Sequence, residues 1–360
     1  MTTGHNDDQD DQDDQTVATG GASTGDGPFD ATVQHDPAIN STVILLSYRD
    51  HARPARSITV GIAPELGSNM FQLRVGEHEL IHCEPALLRR MDFTGNFVLW
   101  PLPNRVRDKR YTYQGHTYSL ADVERPQGND VLIHGLVFDQ PWQYDQPVVA
   151  PDLVRVRTHI DITPASPHYG AYPFASRLTL TYTLTADGVT VAYEVENKGV
   201  TDLPFGFALH PYFATLSGAA DTTVSIPATR VMEADGDLLP TGRVLDVEGV
   251  MYSMFDLRQP APVGALKLDH VYTGLLPGQD AVIAYGTRGL RLHLSACDDF
   301  THMVIYTLGG EAFFCLENQT CATDAVNLYA QGRQDIAHLQ QVHPGDTAEG
   351  SIRYTVEHDG

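Results

Sequence analysis

The chain has 360 residues, 42% of them hydrophobic, enough for one large core or two small ones. Its formal net charge is −23, and nine aspartates with no Lys, Arg or Glu fall within residues 1–38, which leaves −14 for the rest. An acidic surface argues against nucleic acid and anionic membrane as partners. The N-terminus has no basic stretch leading into an apolar one, and no apolar run nears the ~20 residues that span a bilayer. Cys83, Cys297, Cys315 and Cys321 show no CxxC spacing. Four scattered thiols fit a reducing compartment, so a cytoplasmic protein is expected.

Residues 1–38 are rich in Asp and Gln, then in Gly, Ser and Thr, and are read as a disordered, solvating tail. The texture changes near Ser41, and residues 39–360 are expected to form a single domain. Short apolar or alternating segments recur at 42–47, 57–62, 71–75, 97–100, 111–120 and 131–137. Gln114-Gly115 sits between Tyr-rich arms, and Asp187-Gly188 divides the alternating stretch 176–196; both read as hairpins. In the second hairpin Leu178, Leu180, Tyr182 and Leu184 form one apolar row, and Val189, Val191, Tyr193 and Val195 form its partner. Further strands are expected at 223–226, 229–232, 281–285, 290–294, 302–307, 312–316 and 348–356, with a Pro/Gly-rich connection running to Gly264. Helical signals are brief, at 84–90 and 326–330. The expected fold class is all-β, a large and mostly antiparallel sandwich.

Chemistry-bearing residues gather beside strands in four places. Phe205, Phe207 and Leu209 share one face of an extended segment, so His210 points to the other, and Pro211 removes a ladder donor beside it. Arg105 follows the double-proline bend of Trp100–Val106, and His134 opens His-Gly-Leu-Val-Phe-Asp-Gln-Pro-Trp142. Glu317 ends a strongly apolar strand, where burial raises a carboxyl's pKa and makes it a usable base. Taken alone, Trp142 fits the core better than a ligand platform, and Asp324 and Asn327 read as turn or cap residues.

Together these stretches resemble the aldose 1-epimerase (galactose mutarotase-like) family across residues 40–357. The carriers are PNRV with Arg105, HGLVFDQPW with His134, PFGFALHPYF with His210, LDHVYTG with Asp269 and CLENQTCATDAVN with Glu317, in that order. The resemblance implies that Glu317 takes the anomeric proton while His210 protonates the ring oxygen. It also implies that Arg105, His134 and Asp269 bind the sugar, with Trp142 packing against its apolar face. A monosaccharide is then the partner, and neither a metal nor an organic cofactor is required. The chain departs from many relatives in carrying Phe138-Asp139 where they have Arg-Asp, and Asn318 where they have Pro after the base. Two rivals remain: a hexose-6-phosphate mutarotase, and a sugar-binding or regulatory protein without turnover. The first wants an arginine cluster, for which Arg105 is the convincing candidate and Arg107, Arg110 and Arg177 have no assigned place. A pure binder has no use for an acid–base pair.

Overall fold

The structure, a computed structural model, describes residues 27–124, 131–248 and 251–359. About half of these residues lie in antiparallel strands, arranged in two large sheets, a five-stranded one and three two-stranded ribbons. The 176–196 stretch forms the hairpin Ser176–Thr185 and Gly188–Asn197, with Leu178 opposite Val195, Leu180 opposite Tyr193, Tyr182 opposite Val191 and Leu184 opposite Val189. All eight of these side chains are at most 1% exposed. A one-residue slip would send both rows to the wrong face, so this pairing fixes the register of the ten-stranded sheet.

The second large sheet has seven strands in the order Pro240–Asp246, Ala228–Ala234, Asp269–Leu275, His302–Thr307, Phe313–Gln319, Ala208–Ala214 and Asn96–Leu99. Leu209, Phe213, Ile305 and Leu316 point inward and share one apolar core with Leu180, Val191, Ile283 and Tyr354 of the ten-stranded sheet. The alternate residues Phe97, Leu99, Ala208, Tyr212 and Cys315 form a separate cluster on the outer face, joined by Phe138. His210 lies in register with this outer row, as the two-residue period requires.

The ladder between Ala208–Ala214 and Phe313–Gln319 holds at Ala208–Gln319 and again from Tyr212–Cys315 to Ala214–Phe313. Between those points, where His210 faces Glu317, it lapses. Pro211 has no N–H to give, so the interruption falls beside the two titratable residues. This strand is flanked by Asn96–Leu99 on its other side, so it lies inside the sheet and not at its edge.

Three expectations need correction. Residues Phe29–Asp36, assigned to the tail, form a full strand paired with Ser41–Tyr48, and Phe29 is buried against the Tyr48 ring at 5.1 Å. Its alternating Phe29, Ala31 and Val33 were masked in the sequence by the acidic residues around them. The rest of the proposed tail, residues 1–26, lies outside the described residues. Trp142 is 3% exposed within the main core, and its indole N–H donates to the Val137 carbonyl at 3.1 Å; it offers no platform to a sugar. The strands Val154–Ile162, Pro240–Asp246 and Asp269–Leu275 also went unassigned. Among the described residues no helix is long and apolar enough to cross a membrane, and all four cysteines are free.

Because Phe29–Asp36 contributes eight ladder pairs, a chain beginning at residue 39 should melt several degrees below one beginning at residue 27. Thermal unfolding followed by circular dichroism checks this; equal midpoints would mean that the strand adds nothing to stability.

Candidate functional site

His210 is held by aromatic packing. Its ring stacks on Phe97 (centroids 4.7 Å apart, planes 15°) and on Tyr212 (5.0 Å, 18°), which lie 6.2 Å from each other, and His134 meets it in a T-shaped contact at 4.9 Å. Sheet pairing puts Phe97 directly across from His210, and Tyr212 is two residues along the same strand. The imidazole is thereby fixed in direction and stripped of water, being 5% exposed. That desolvation drives its pKa down to about 3, with the nearby Arg105 charge pushing the same way.

Across the lapsed ladder, Glu317 Oε1 lies 3.2 Å from His210 Nε2, and the Glu317 side chain is 3% exposed. Its other oxygen accepts an N–H from Gln319 at 3.2 Å, again from two residues along the strand. Burial pushes the Glu317 pKa well up, and the neighbouring Asp269 charge adds to this, while Gln319 and Arg105 oppose it. Desolvation thus lowers the imidazole and raises the carboxyl. The pair titrates as one unit, and in the dry site it favours a single shared proton over a separated pair of charges.

Arg105 and His134 come from a second construction. Arg105–Val106 pairs with Leu132–Ile133, and this two-stranded ribbon carries both Arg105 and His134. The ribbon leaves its register at once: Asn104 and His134 have φ of +59° and +67°, conformations that L residues seldom adopt. The His134 N–H donates to the Asn104 carbonyl at 2.7 Å, and Leu136 N–H to the Trp100 carbonyl at 2.8 Å. Gly135, between them at φ +74°, has no room for a side chain, since a Cβ would lie 2.4 Å from the Trp100 oxygen. Arg105 reaches Asp269 at 3.4 Å and the Asn104 side chain at 3.0 Å. Asp269 begins its strand on the outer face, paired with Tyr306.

Five of the six residues expected from sequence therefore converge: Arg105, His134, His210, Asp269 and Glu317. The sixth, Trp142, is in the core. Asp324 and Asn327 sit at the start of the helix Ala325–Ala330 and bond to the arginine segment, as detailed below. Sequence reasoning missed Tyr212 and Gln319, although each is two residues from a site residue and must share its face. It also missed Phe93, Phe97 and Tyr306, which only strand pairing and loop packing bring near. Arg105 and Asp269 also line a narrow recess with Asn104, Glu233, Val271 and Thr323. Among the described residues no three His, Cys, Asp or Glu side chains gather as ligands for a metal ion. The arrangement combines a buried proton donor–acceptor pair, an ion pair able to bind hydroxyls, and flat aromatic walls.

Residues 60–355 match the aldose 1-epimerase family. The uncharacterized protein YihR of Escherichia coli K12 is 26% identical over 236 residues, 64% of this chain and 71% of that protein. Galactose mutarotase of Sus scrofa is 28% identical over 173 residues, so the match spans about half of either chain, 46% of each. Among solved structures, a galactose mutarotase-like protein from Clostridium acetobutylicum superposes with a TM-score of 0.78 at 18% identity, over 92% of this chain and 99% of that one. A galactose 1-epimerase from Lactobacillus acidophilus NCFM gives 0.69 at 16% identity, over 92% and 99%. At these identities the structural likeness establishes the fold, a galactose mutarotase-like sandwich.

Two stability measurements test this geometry. Gly135→Ala should cost roughly 2–4 kcal/mol in denaturant unfolding, because the added methyl meets a backbone oxygen in a left-handed conformation. Asp324 is 4% exposed, and burial raises its pKa from 3.8 to about 6, so ionising it costs stability above pH 6. Asp324→Asn should therefore stabilise the fold by up to about 3 kcal/mol above pH 7, with the gain fading as pH falls through 6 toward 4.

Proposed function

The chain belongs to the aldose 1-epimerase family, and from that premise we propose that it interconverts the α and β anomers of a free aldohexose. The observation that carries the reading is the buried contact of His210 with Glu317 at 3.2 Å, beside the Arg105–Asp269 pair. Mutarotation removes a proton from the anomeric hydroxyl and delivers one to the ring oxygen. An acid and a base must therefore reach different atoms of one sugar.

A sugar entering this site brings hydroxyls that solvate both groups. The shared proton then settles on His210, leaving Glu317 as the carboxylate. Glu317 takes the anomeric proton, and His210 protonates the ring oxygen as the C1–O5 bond breaks. Rotation about C1–C2 and reclosure, with the two roles exchanged, gives the other anomer. The proton count is the same before and after, so the cycle needs no cofactor. Arg105 and Asp269 hold ring hydroxyls, His134 steadies charge on the oxygen, and the Phe97 and Tyr212 rings wall the site.

The charge pattern favours a sugar without phosphate. Each arginine considered as a phosphate ligand is already paired: Arg105 with Asp269, Arg107 with Asp235 at 2.8 Å, Arg110 with Asp108 at 3.4 Å, and Arg177 with Asp161 at 2.6 Å. A dianion would have to displace a carboxylate to recruit any of them. A purely sugar-binding role leaves unexplained why two titratable groups are desolvated in contact, at a cost that binding alone does not repay. The free thiols and acidic surface support a cytoplasmic setting.

Polarimetry on freshly dissolved α-D-glucose and α-D-galactose should show equilibrium reached faster with the protein than in buffer. Glu317→Gln should slow this by ~10²–10⁴-fold while leaving the unfolding midpoint at least as high. A wild-type rate equal to the buffer rate, across free and phosphorylated sugars, would overturn the reading.

A further inference from the structure

The segment after Glu317 does not simply leave the site. Thr320–Asp324 turns back, and residues 324–327 close on the arginine-bearing segment from behind. The Asp324 backbone N–H donates to the Arg105 carbonyl at 3.0 Å, and its carboxylate accepts the Arg107 N–H at 3.2 Å. Asn327 completes the grip: its amide donates to Asp324 Oδ1 at 2.7 Å and to the Arg110 carbonyl at 3.0 Å, and its oxygen accepts the Thr112 N–H at 3.3 Å. The Arg105 carbonyl and the Arg107 N–H, the backbone just C-terminal to the Arg105 side chain, are therefore fixed by one residue.

We propose that Asp324 is a positioning residue for sugar binding, clamping the backbone at Arg105 and Arg107 so that the Arg105 guanidinium stays aimed at Asp269 and the substrate. The inference rests on the reading of Arg105 as a sugar-holding group. Asp324 touches no reacting atom; it acts through Arg105. The need is physical. Arg105 belongs to a strand of only two residues, next to an Asn104 in the left-handed region and followed by Asp108 and Lys109, at φ +54° and +46°. So short and strained a segment cannot hold a long side chain by its own ladder bonds. A misplacement of about 1 Å in a substrate-holding group is enough to cost orders of magnitude.

The residue type follows from the backbone. Asp324 itself has φ +56°, which Asp, Asn and Gly tolerate and other residues resist. Its carboxylate is buried with its acceptor oxygen already committed to two N–H groups. The acceptor oxygen, and not the charge, is what the clamp uses. Arg107 is attracted to the carboxylate and Asp108 repels it, and both belong to the clamped segment.

Two variants separate the clamp from the fold. Asp324→Gly keeps the left-handed backbone and deletes the acceptor; Asp324→Asn keeps both. With α-D-galactose and α-D-glucose in the polarimetric assay, Asp324→Gly should raise KM about tenfold with kcat within about twofold, and Asp324→Asn should restore wild-type KM. Hydrogen exchange of the peptide spanning 105–112, read by mass spectrometry without sugar, should quicken about tenfold in Asp324→Gly and stay unchanged in Asp324→Asn. An unchanged KM, or a fall in kcat alone, overturns the proposal. So does unaltered exchange in Asp324→Gly. Should the wild type prove inactive on both sugars, the proposed function fails, and the exchange arm still decides whether the clamp exists.

Discussion

Everything at this site depends on keeping an imidazole and a carboxyl in contact without water. Their 3.2 Å separation sets two tendencies against each other. Attraction favours the charged pair, and desolvation penalises each charge separately. Phe97, Tyr212 and His134 pack around His210 and exclude water from it, while Gln319 occupies the Glu317 oxygen that does not face it. Burial shifts both groups toward their uncharged forms, the imidazole's pKa down and the carboxyl's up. On the proposed function, an entering polyol would activate this couple by supplying the solvation that the walls withhold.

The backbone serves that contact in two ways. Wide sheets with fully buried rows, such as Leu178–Leu184 against Val189–Val195, fix register over long distances. This leaves one local interruption, at Pro211, with nowhere to spread. The Arg105–His134 ribbon works differently: it is two residues long on each side, uses left-handed conformations, and is tied down by Trp100, Asn104 and Asp324. Regular structure places the His210–Glu317 pair, and irregular structure places Arg105 and His134. This division suits the roles proposed for each, since hydroxyl recognition needs several directions and proton transfer needs one.

Much of this was legible in the sequence. The two-residue period settled that His210 opposes Phe205, Phe207 and Leu209; the same rule covers Tyr212 and Gln319, although sequence reasoning missed both. The Gln114-Gly115 turn was readable because both residues adopt positive φ, at +47° and +79°. Phe97 and Tyr306 were not readable, since their place beside the site comes from which strands become neighbours, a non-local outcome. Trp142 misled because a large aromatic near a site motif fits a core as well as a platform; its indole bond to Val137 decided the matter. Val154–Ile162 was missed although it alternates plainly, because arginines and a histidine occupy its exposed positions.

The strand Phe29–Asp36 has a bearing on solubility. It forms the outer edge of the five-stranded sheet, where unpaired N–H and C=O groups would accept a strand from a second molecule. Asp30 and Asp36 stand on that edge, and the chain leading into it carries seven more aspartates. Another copy approaching along the edge meets like charge before it meets a hydrogen bond. Asp30 and Asp36 thus discourage edge-to-edge stacking of a protein built on open sheets.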